Sequence, residues 1–306
     1  MNNEPLVSVI MPAYNDREAF LRESIESILN QTYQNLELII ADDSTEKISR
    51  DIIDEYAATD SRIRIVRSPE RMGVCKALNK AIAEAKGEFI AHMDADDVSM
   101  PNRLECQIPL FTTSTIAVVG GQVDIINENS EQTGSISQIT CSEEEIKKSF
   151  SLGQPQISNP TSIVRRSVFV ELGGYEELYR CSEDYDFWYR VATFGYSFVN
   201  TNEVVLHYRI HSSNAHTRLA QIQSKLCCMT LLKYGASYSQ RLNSNLYNLL
   251  ENFVRKDFFC KLYLKQKDQN SHFSRIIKKL RIEKYISRMI IKTIIMRGKK
   301  VKRFFE

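Results

Sequence analysis

Met93-Asp94-Ala95-Asp96-Asp97 places three carboxylates within four residues. They follow an apolar run, residues 88–93, that reads as a strand buried on both faces. Like charges this close repel, so a bound cation or a proton must offset them. Carboxylate oxygens suit Mg²⁺ or Mn²⁺, and Mg²⁺ usually takes one or two protein carboxylates plus substrate phosphates. The same residues also suit a helix N-terminus, where Asp caps the backbone and complements the dipole.

Two other apolar runs end in similar side chains. Leu6-Val7-Ser8-Val9-Ile10-Met11 stops at Pro12-Ala13-Tyr14-Asn15-Asp16, and residues 36–41 stop at Asp42-Asp43-Ser44-Thr45. Asn and Asp favour turns. They can also grip a nucleobase edge, because a carboxylate accepts an imide N–H such as that of uracil. Tyr14 offers a ring for stacking or for plain packing. Farther on, Ser182-Glu183-Asp184-Tyr185 opens a helix, with Ser182 as its cap and two acids in its first turn. Dipole compensation accounts for those acids, yet a carboxylate facing a pocket from such a turn also makes a general base. His211 fits a metal or phosphate contact as well as it fits a structural histidine.

These side chains need a frame that brings their loops together. Strand-like runs at 6–11, 36–41, 63–66 and 88–93 alternate with helical periodicity at 18–29, at Ile48, Ile52, Ile53 and Tyr56, and at 74–85. Gly87 is the stop signal of the last of these helices. The alternation predicts an α/β fold with a parallel sheet covered by helices on both faces. Parallel strands put their C-terminal ends on one edge, where open α/β sheets bind ligands, so Asn15, Asp42, Asp43 and the 94–97 cluster should converge. Pro12 should end the first strand, since proline cannot extend a central one. No GxGxxG follows that strand and no GxxxxGK[ST] occurs, which disfavours dinucleotide and P-loop modes. Beyond residue 101, strands are expected at 116–121, 122–127, 163–166 and 204–209, with an exposed loop or hairpin at 127–138. Ser142-Glu143-Glu144-Glu145 is a capping box, and Gly173-Gly174 stops a short helix at 169–172.

The net charge of +2 hides an asymmetry. Residues 255–306 hold 17 Lys+Arg against 4 Asp+Glu, which leaves 23 basic and 34 acidic residues in the rest of the 306-residue chain. Residues 274–305 interleave Ile and Leu with Lys and Arg, the pattern of a basic amphipathic helix that lies on an anionic membrane surface. A helix docked on the acidic body has the same pattern. No recognised nucleic-acid motif accompanies the charge. Seven Cys without a CxxC pair point to reduced thiols in a cytosolic compartment. Neither a signal peptide nor an 18-residue apolar span is visible.

Taken together, the motifs resemble those of the family 2 glycosyltransferases, bacterial inverting enzymes of GT-A fold that use nucleotide-sugars. The resemblance covers about residues 6–214. It rests on Pro12-Ala13-Tyr14-Asn15, Asp42-Asp43-Ser44, Arg71-Met72-Gly73 with Ala77-Leu78-Asn79, Met93-Asp94-Ala95-Asp96-Asp97, and Pro101, Arg103, Leu104 and Gln107. Gly173-Gly174-Tyr175, Glu183-Asp184 and Tyr208-Arg209-Ile210-His211 complete it, all in the family's order. Two departures stand out: Asp-Asp-Ser-Thr where Asp-Asp-Gly-Ser is common, and Arg71 where Asn is commoner.

The resemblance implies a GT-A catalytic domain over 1–214, followed by a helical extension over 215–306. Pro12, Ala13, Tyr14 and Asn15 would line the nucleoside pocket. Asp42 would accept from the base with Asp43 nearby, and Arg71 would approach the base or phosphates. Asp94 and Asp96 would form the DxD pair around Ala95, with Asp96 on a Mn²⁺ or Mg²⁺ ion and His211 as a candidate further ligand. Asp184 would be the catalytic base and Glu183 an acceptor contact, while Asp97 is left without an assigned role. The implied activity is transfer of a hexose or N-acetylhexosamine, with UDP the default nucleotide, to a glycan or lipid-linked acceptor at the inner face of the membrane. The alternatives are a non-catalytic nucleotide-sugar-binding protein and a metal-dependent nucleotidyltransferase or phosphohydrolase.

Overall fold

A strand with no polar face needs cover on both sides, and β1 (Val7–Ala13) is such a strand, buried along almost its whole length. The computed structural model describes residues 4–212 and the helical positions Gln223, Leu226, Cys227, Thr230 and Tyr234. The expected extension over 215–306, with its basic tail, otherwise lies outside the described residues.

After β1 come α1 (Glu18–Leu29), β2 (Leu36–Asp42), α2 (Lys47–Thr59), β3 (Ile63–Arg67), α3 (Val74–Glu84) and β4 (Phe89–His92). This is the predicted alternation. Then follow β5 (Val98–Ser99), α4 (Arg103–Gln107), β6 (Ile116–Ile126), β7 (Gln132–Ile136), α5 (Glu143–Ser151) and β8 (Ile163–Arg165). The last elements are α6 (Arg166–Leu172), α7 (Glu183–Thr193) and β9 (Ser197–Arg209).

The strands form one sheet in the order β3-β2-β1-β4-β8-β6-β9-β5, with β7 paired to β6. The β3-β2-β1-β4 half is parallel throughout. Beyond β4 the sheet is mixed: β8 runs antiparallel to β4 and β6, and β9 runs parallel to β6. Val7, Val9 and Met11 of β1 share one core with Leu21, Ile25 and Ile28 of α1 and Ile52 and Ile53 of α2. Ile10, Ile39 and Ile90 are buried on the opposite face, and α3 packs against β1 and β2. Among the described residues, no helix is long and apolar enough to cross a membrane.

Three elements differ from expectation, each for a local reason. β1 continues through Pro12, which pairs with Ala41 of β2. The amides of odd-numbered β1 residues face β2, as Val7 N shows by donating to Asn35 O. The missing N–H of Pro12 therefore faces the β4 side, where pairing has already ended at Ile10 and His92, so no ladder bond is lost. β6 is one strand rather than two. A Cβ on Gly120 would meet Asn200 Oδ1 at 2.3 Å, and one on Gly121 would meet Val205 Cγ2 at 2.6 Å. The two glycines admit β9 side chains instead of breaking the strand. Finally, Ser182 precedes α7 without capping it: its hydroxyl donates back to Tyr179 O at 3.3 Å.

Candidate active site

Beyond β4 the chain turns sharply, and oxygens of Asp94, Asp96 and Asp97 come within 4.8 Å of one another. The turn is held from β9. Arg209 N donates to Asp97 Oδ1 at 2.8 Å, and Arg209 Nε donates to the Asp96 carbonyl at 2.7 Å. The Arg209 guanidinium is fully buried, lies 4.4 Å from the Phe20 ring centroid and pairs with Glu23 at 2.5 Å. Asp97 thereby gains a role as the buried anchor of the acidic turn. His211 Nε2 lies 2.9 Å from Asp96 Oδ2, and His92 Nε2 lies 2.9 Å from Asp94 Oδ1.

Burial, then the Asp94 charge, raises the pKa of the Asp96 carboxyl. Burial followed by the Asp94 and Asp96 charges pushes Asp97 well above the usual carboxylate range. A cluster of hard oxygen donors with too little positive charge around it fits a divalent cation, so Asp94 and Asp96 satisfy the chemistry of an Mg²⁺ or Mn²⁺ site. His211 is placed to orient Asp96 or to join it as a ligand.

The β1 and β2 ends meet as predicted, but their polar groups are largely engaged. Asn15 adopts a left-handed φ of 53°, a conformation in which Asn is enriched. Its Oδ1 accepts from the amides of Thr45 and Glu46 at 2.8 and 2.9 Å, which pins the β2 loop to the β1 loop. Asp42 has no exposed side-chain surface. Its Oδ2 accepts from Arg67 Nε at 2.6 Å and its Oδ1 from Ser44 N at 3.0 Å. Asp43 accepts from the amides of Met72 and Gly73 at 2.6 and 2.8 Å, fixing the loop that carries Arg71. Arg71 folds over the Tyr14 ring at 4.1 Å. Tyr14 and Arg71 are the exposed groups here, at 40% relative accessibility for Tyr14 and 60% for the Arg71 side chain. Pro12 and Ala13 form the floor at the end of β1.

Glu183 and Asp184 occupy the first turn of α7, as predicted. The helix is tethered by Arg190, which pairs with Asp186 at 2.8 Å and donates to Leu172 O and Gly174 O. Gly174 leads to the Asn79 contact: Asn79 Nδ2 donates to Tyr175 O at 2.8 Å, and Asn79 Oδ1 accepts from Tyr175 N at 2.7 Å. At Gly174, φ is +75° and a Cβ would strike Asn79 Oδ1 at 2.4 Å, so glycine is required. Burial, then the Asp184 charge, raises Glu183 to about 7. Burial also raises Asp184, with the Asp94 charge adding to it and His92 opposing it. Burial, then the Asp184 and Glu183 charges, pushes the Tyr175 hydroxyl well above its usual range.

Arg103 and Gln107 belong to the scaffold. Buried Arg103 donates to His92 O at 2.8 Å, and Gln107 Nε2 to Thr161 O at 2.8 Å. Sequence reasoning missed three residues of this region: Asp16, His92 and Asn159. Asp16 passed as a turn former, although burial and the Asp96 and Asp94 charges raise it to about 7. His92 left one signal in the sequence, a polar residue closing an otherwise apolar buried strand. Asn159, beside a proline in a loop, left none.

Comparison with known proteins bears on the fold and the family. The fold matches that of S. aureus TarS in complex with UDP-GlcNAc, with a TM-score of 0.59 and 17% identity over 85% of this chain and 76% of that one. It also matches the mannosyltransferase PcManGT from Pyrobaculum calidifontis in complex with GDP-Man and Mn²⁺, with a TM-score of 0.57 and 16% identity over 97% and 88%. The architecture is thus the GT-A fold. An uncharacterized glycosyltransferase of Methanocaldococcus jannaschii is 35% identical over 80% of this chain and 84% of its own length. The Escherichia coli UDP-Glc:alpha-D-GlcNAc-diphosphoundecaprenol beta-1,3-glucosyltransferase WfgD is 41% identical over 41% of this chain and 48% of its own. Residues 8–173 match the description Glycosyl transferase family 2, and the chain belongs to that family.

Proposed function

We propose that this glycosyltransferase moves a hexose or N-acetylhexosamine, with inversion, from a UDP-sugar to a hydroxyl of a glycan or lipid-linked acceptor in surface polysaccharide synthesis. The observation that carries the reading is the cluster of Asp94, Asp96 and Asp97 oxygens within 4.8 Å of one another beyond β4, taken with Glu183 and Asp184 in the first turn of α7. A nucleoside diphosphate sugar needs a cation site at its phosphates and a base near its anomeric carbon, and that arrangement supplies both.

Each residue has a task. Tyr14 and Arg71 flank the nucleoside above Pro12 and Ala13, and Asn15 and Asp43 hold the loops that carry them. Asp42, buried and bonded to Arg67 and Ser44, fixes the end of β2 beneath the base instead of reaching it. Asp94 and Ala95 line the donor path. A divalent cation on Asp96 and Asp94, with His211 beside them, would neutralise the leaving diphosphate as a Lewis acid. Asp184 takes the proton of the acceptor hydroxyl as its oxygen bonds to the anomeric carbon and the bond to the diphosphate oxygen breaks. Glu183 supports the acceptor. WfgD, by its name, uses UDP-Glc and a diphosphoundecaprenol-linked acceptor, which supports UDP and a lipid-linked acceptor here. The Mn²⁺ complex of PcManGT supports a metal-dependent reaction.

The reading is tested with a panel of UDP-glucose, UDP-galactose, UDP-N-acetylglucosamine and GDP-mannose with Mn²⁺, monitored for nucleotide release. Release from a UDP-sugar is expected; release from GDP-mannose alone would replace the nucleotide. The basic tail adds peripheral attachment to anionic membrane. Full-length protein should sediment with anionic liposomes and a 1–270 truncation should not, whereas equal recovery of the two rejects this attachment.

A further inference from the structure

Two buried side chains that meet at the end of β4 each carry a polar atom without a hydrogen-bond partner: His92 Nδ1 and Asn159 Oδ1. Burying such an atom is costly unless something completes it. Most buried polar atoms in native proteins are satisfied, so two orphans on touching side chains point to a missing ligand. His92 is only 4% exposed. Its ring is fixed by Asp94 Oδ1 at 2.9 Å, and Asn159 Nδ2 lies 3.4 Å from the same ring nitrogen. The His92 backbone amide donates to Ser162 O at 2.9 Å, and Ser162 N to Asn159 O, also at 2.9 Å. Strand β4 and the Asn159 turn therefore hold the two side chains as one unit.

The tautomer decides what this unit can bind. Asp94 accepts the proton of Nε2, so Nδ1 carries a lone pair. The Asn159 amide leaves one polar atom unpartnered whichever way it is turned. His92 Nδ1 is an acceptor with no donor on the protein. Its complement is a group that offers an O–H donor.

We infer that His92 and Asn159 form a subsite that hydrogen-bonds the hydroxyls of a pyranose ring, with His92 Nδ1 as the acceptor, and so selects the sugar. This rests on the proposed transfer from a nucleotide-sugar. The hydroxyl belongs either to the transferred sugar or to the acceptor sugar, and the binding experiment separates the two.

Two substitutions divide the roles of the imidazole. His92→Gln keeps a donor that reaches Asp94 and removes the acceptor at the Nδ1 position. His92→Asn keeps an acceptor near Nδ1 and loses the reach to Asp94. Affinities of UDP and of the UDP-sugar found active are measured by calorimetry for the full chain, together with acceptor KM. His92→Gln and Asn159→Ala should each weaken the UDP-sugar by about three- to tenfold with UDP unchanged, if the transferred sugar is read. The same factor in acceptor KM with donor affinity unchanged assigns the hydroxyl to the acceptor. Either result supports the subsite, and His92→Asn should retain sugar discrimination better than His92→Gln. Full rescue by His92→Gln, or an equal loss for UDP and UDP-sugar, means that His92 only positions Asp94 and overturns the inference. A wild-type protein that binds no nucleotide-sugar overturns the proposed function itself, a failure distinct from that of the subsite.

Discussion

The amide of Arg209, at the end of β9, donates to Asp97 Oδ1 across 2.8 Å, joining residues 112 positions apart. The bond fixes the acidic turn from behind while Asp94 and Asp96 face forward. Asp97→Ala removes the acceptor of a buried N–H and should cost about 1–3 kcal/mol in urea unfolding. Asp97→Asn keeps an oxygen at that place. The Asp97 pKa is raised by burial and by the neighbouring acids, so the neutral amide should stay within about 1 kcal/mol of wild type. Equal losses for the two variants would assign the effect to charge rather than to the hydrogen bond.

Asp96→Ala should abolish the Mn²⁺ dependence of donor binding. It removes one carboxylate of the DxD pair and the contact with His211 at 2.9 Å. Calorimetric titration of UDP with and without Mn²⁺ checks this, and an unchanged metal effect would place the cation elsewhere.

Asp184→Asn should lower the transfer rate by about 10²–10⁴-fold while leaving donor affinity in place, because the amide cannot accept the acceptor's proton. Loss of donor binding, or survival of activity, would reassign the base. The wild-type profile adds a second check. A base works only when ionised, and the folded pKa values here are raised: Glu183 to about 7, and Asp184 in the same direction. The two carboxyls titrate as a pair. The rate at saturating metal should therefore rise with pH over a range above the usual carboxylate one and then level off. A flat profile across that interval would mean that bound substrate and metal have already ionised the pair.

Asp16 gives a stability prediction with the opposite appearance. Its folded pKa is raised from 3.8 to about 7, by burial first and then by the Asp96 and Asp94 charges. The folded state binds the proton more tightly than the unfolded chain does. The resulting stabilisation is fully present below 3.8 and is lost as pH climbs to about 7. Asp16→Asn retains an oxygen for the Tyr14 amide, now at 2.8 Å from Asp16 Oδ2, and removes the charge. In chelator-treated protein the variant should exceed wild type by about 1–3 kcal/mol at roughly pH 8, with the gap closing toward acid pH. Indistinguishable melts at the alkaline end would show the carboxylate to be well hydrated.

The sequence alone determined the β-α alternation from Val7 to His92, because hydrophobic periodicity is local and each element announces its own period. It also determined that the loops after β1, β2 and β4 meet at one edge, since parallel strands leave no other arrangement. The motif pair Asn79 and Gly174 was visible as residues without a reason; the fold supplied the reason, a side-chain amide bonded twice to the Tyr175 backbone. Tertiary structure alone decided which polar groups are already engaged. Asp42 and Asn15 looked like open acceptors, and Arg67, Thr45 and Glu46 now fill them. It also decided that Asp97 faces Arg209 and that His92 and Asn159 stand together beside Asp94, each with an unpartnered atom. A side chain's residue type shows what it can bond. Whether a partner is within 3 Å depends on the packing of distant segments, which one-dimensional spacing does not encode.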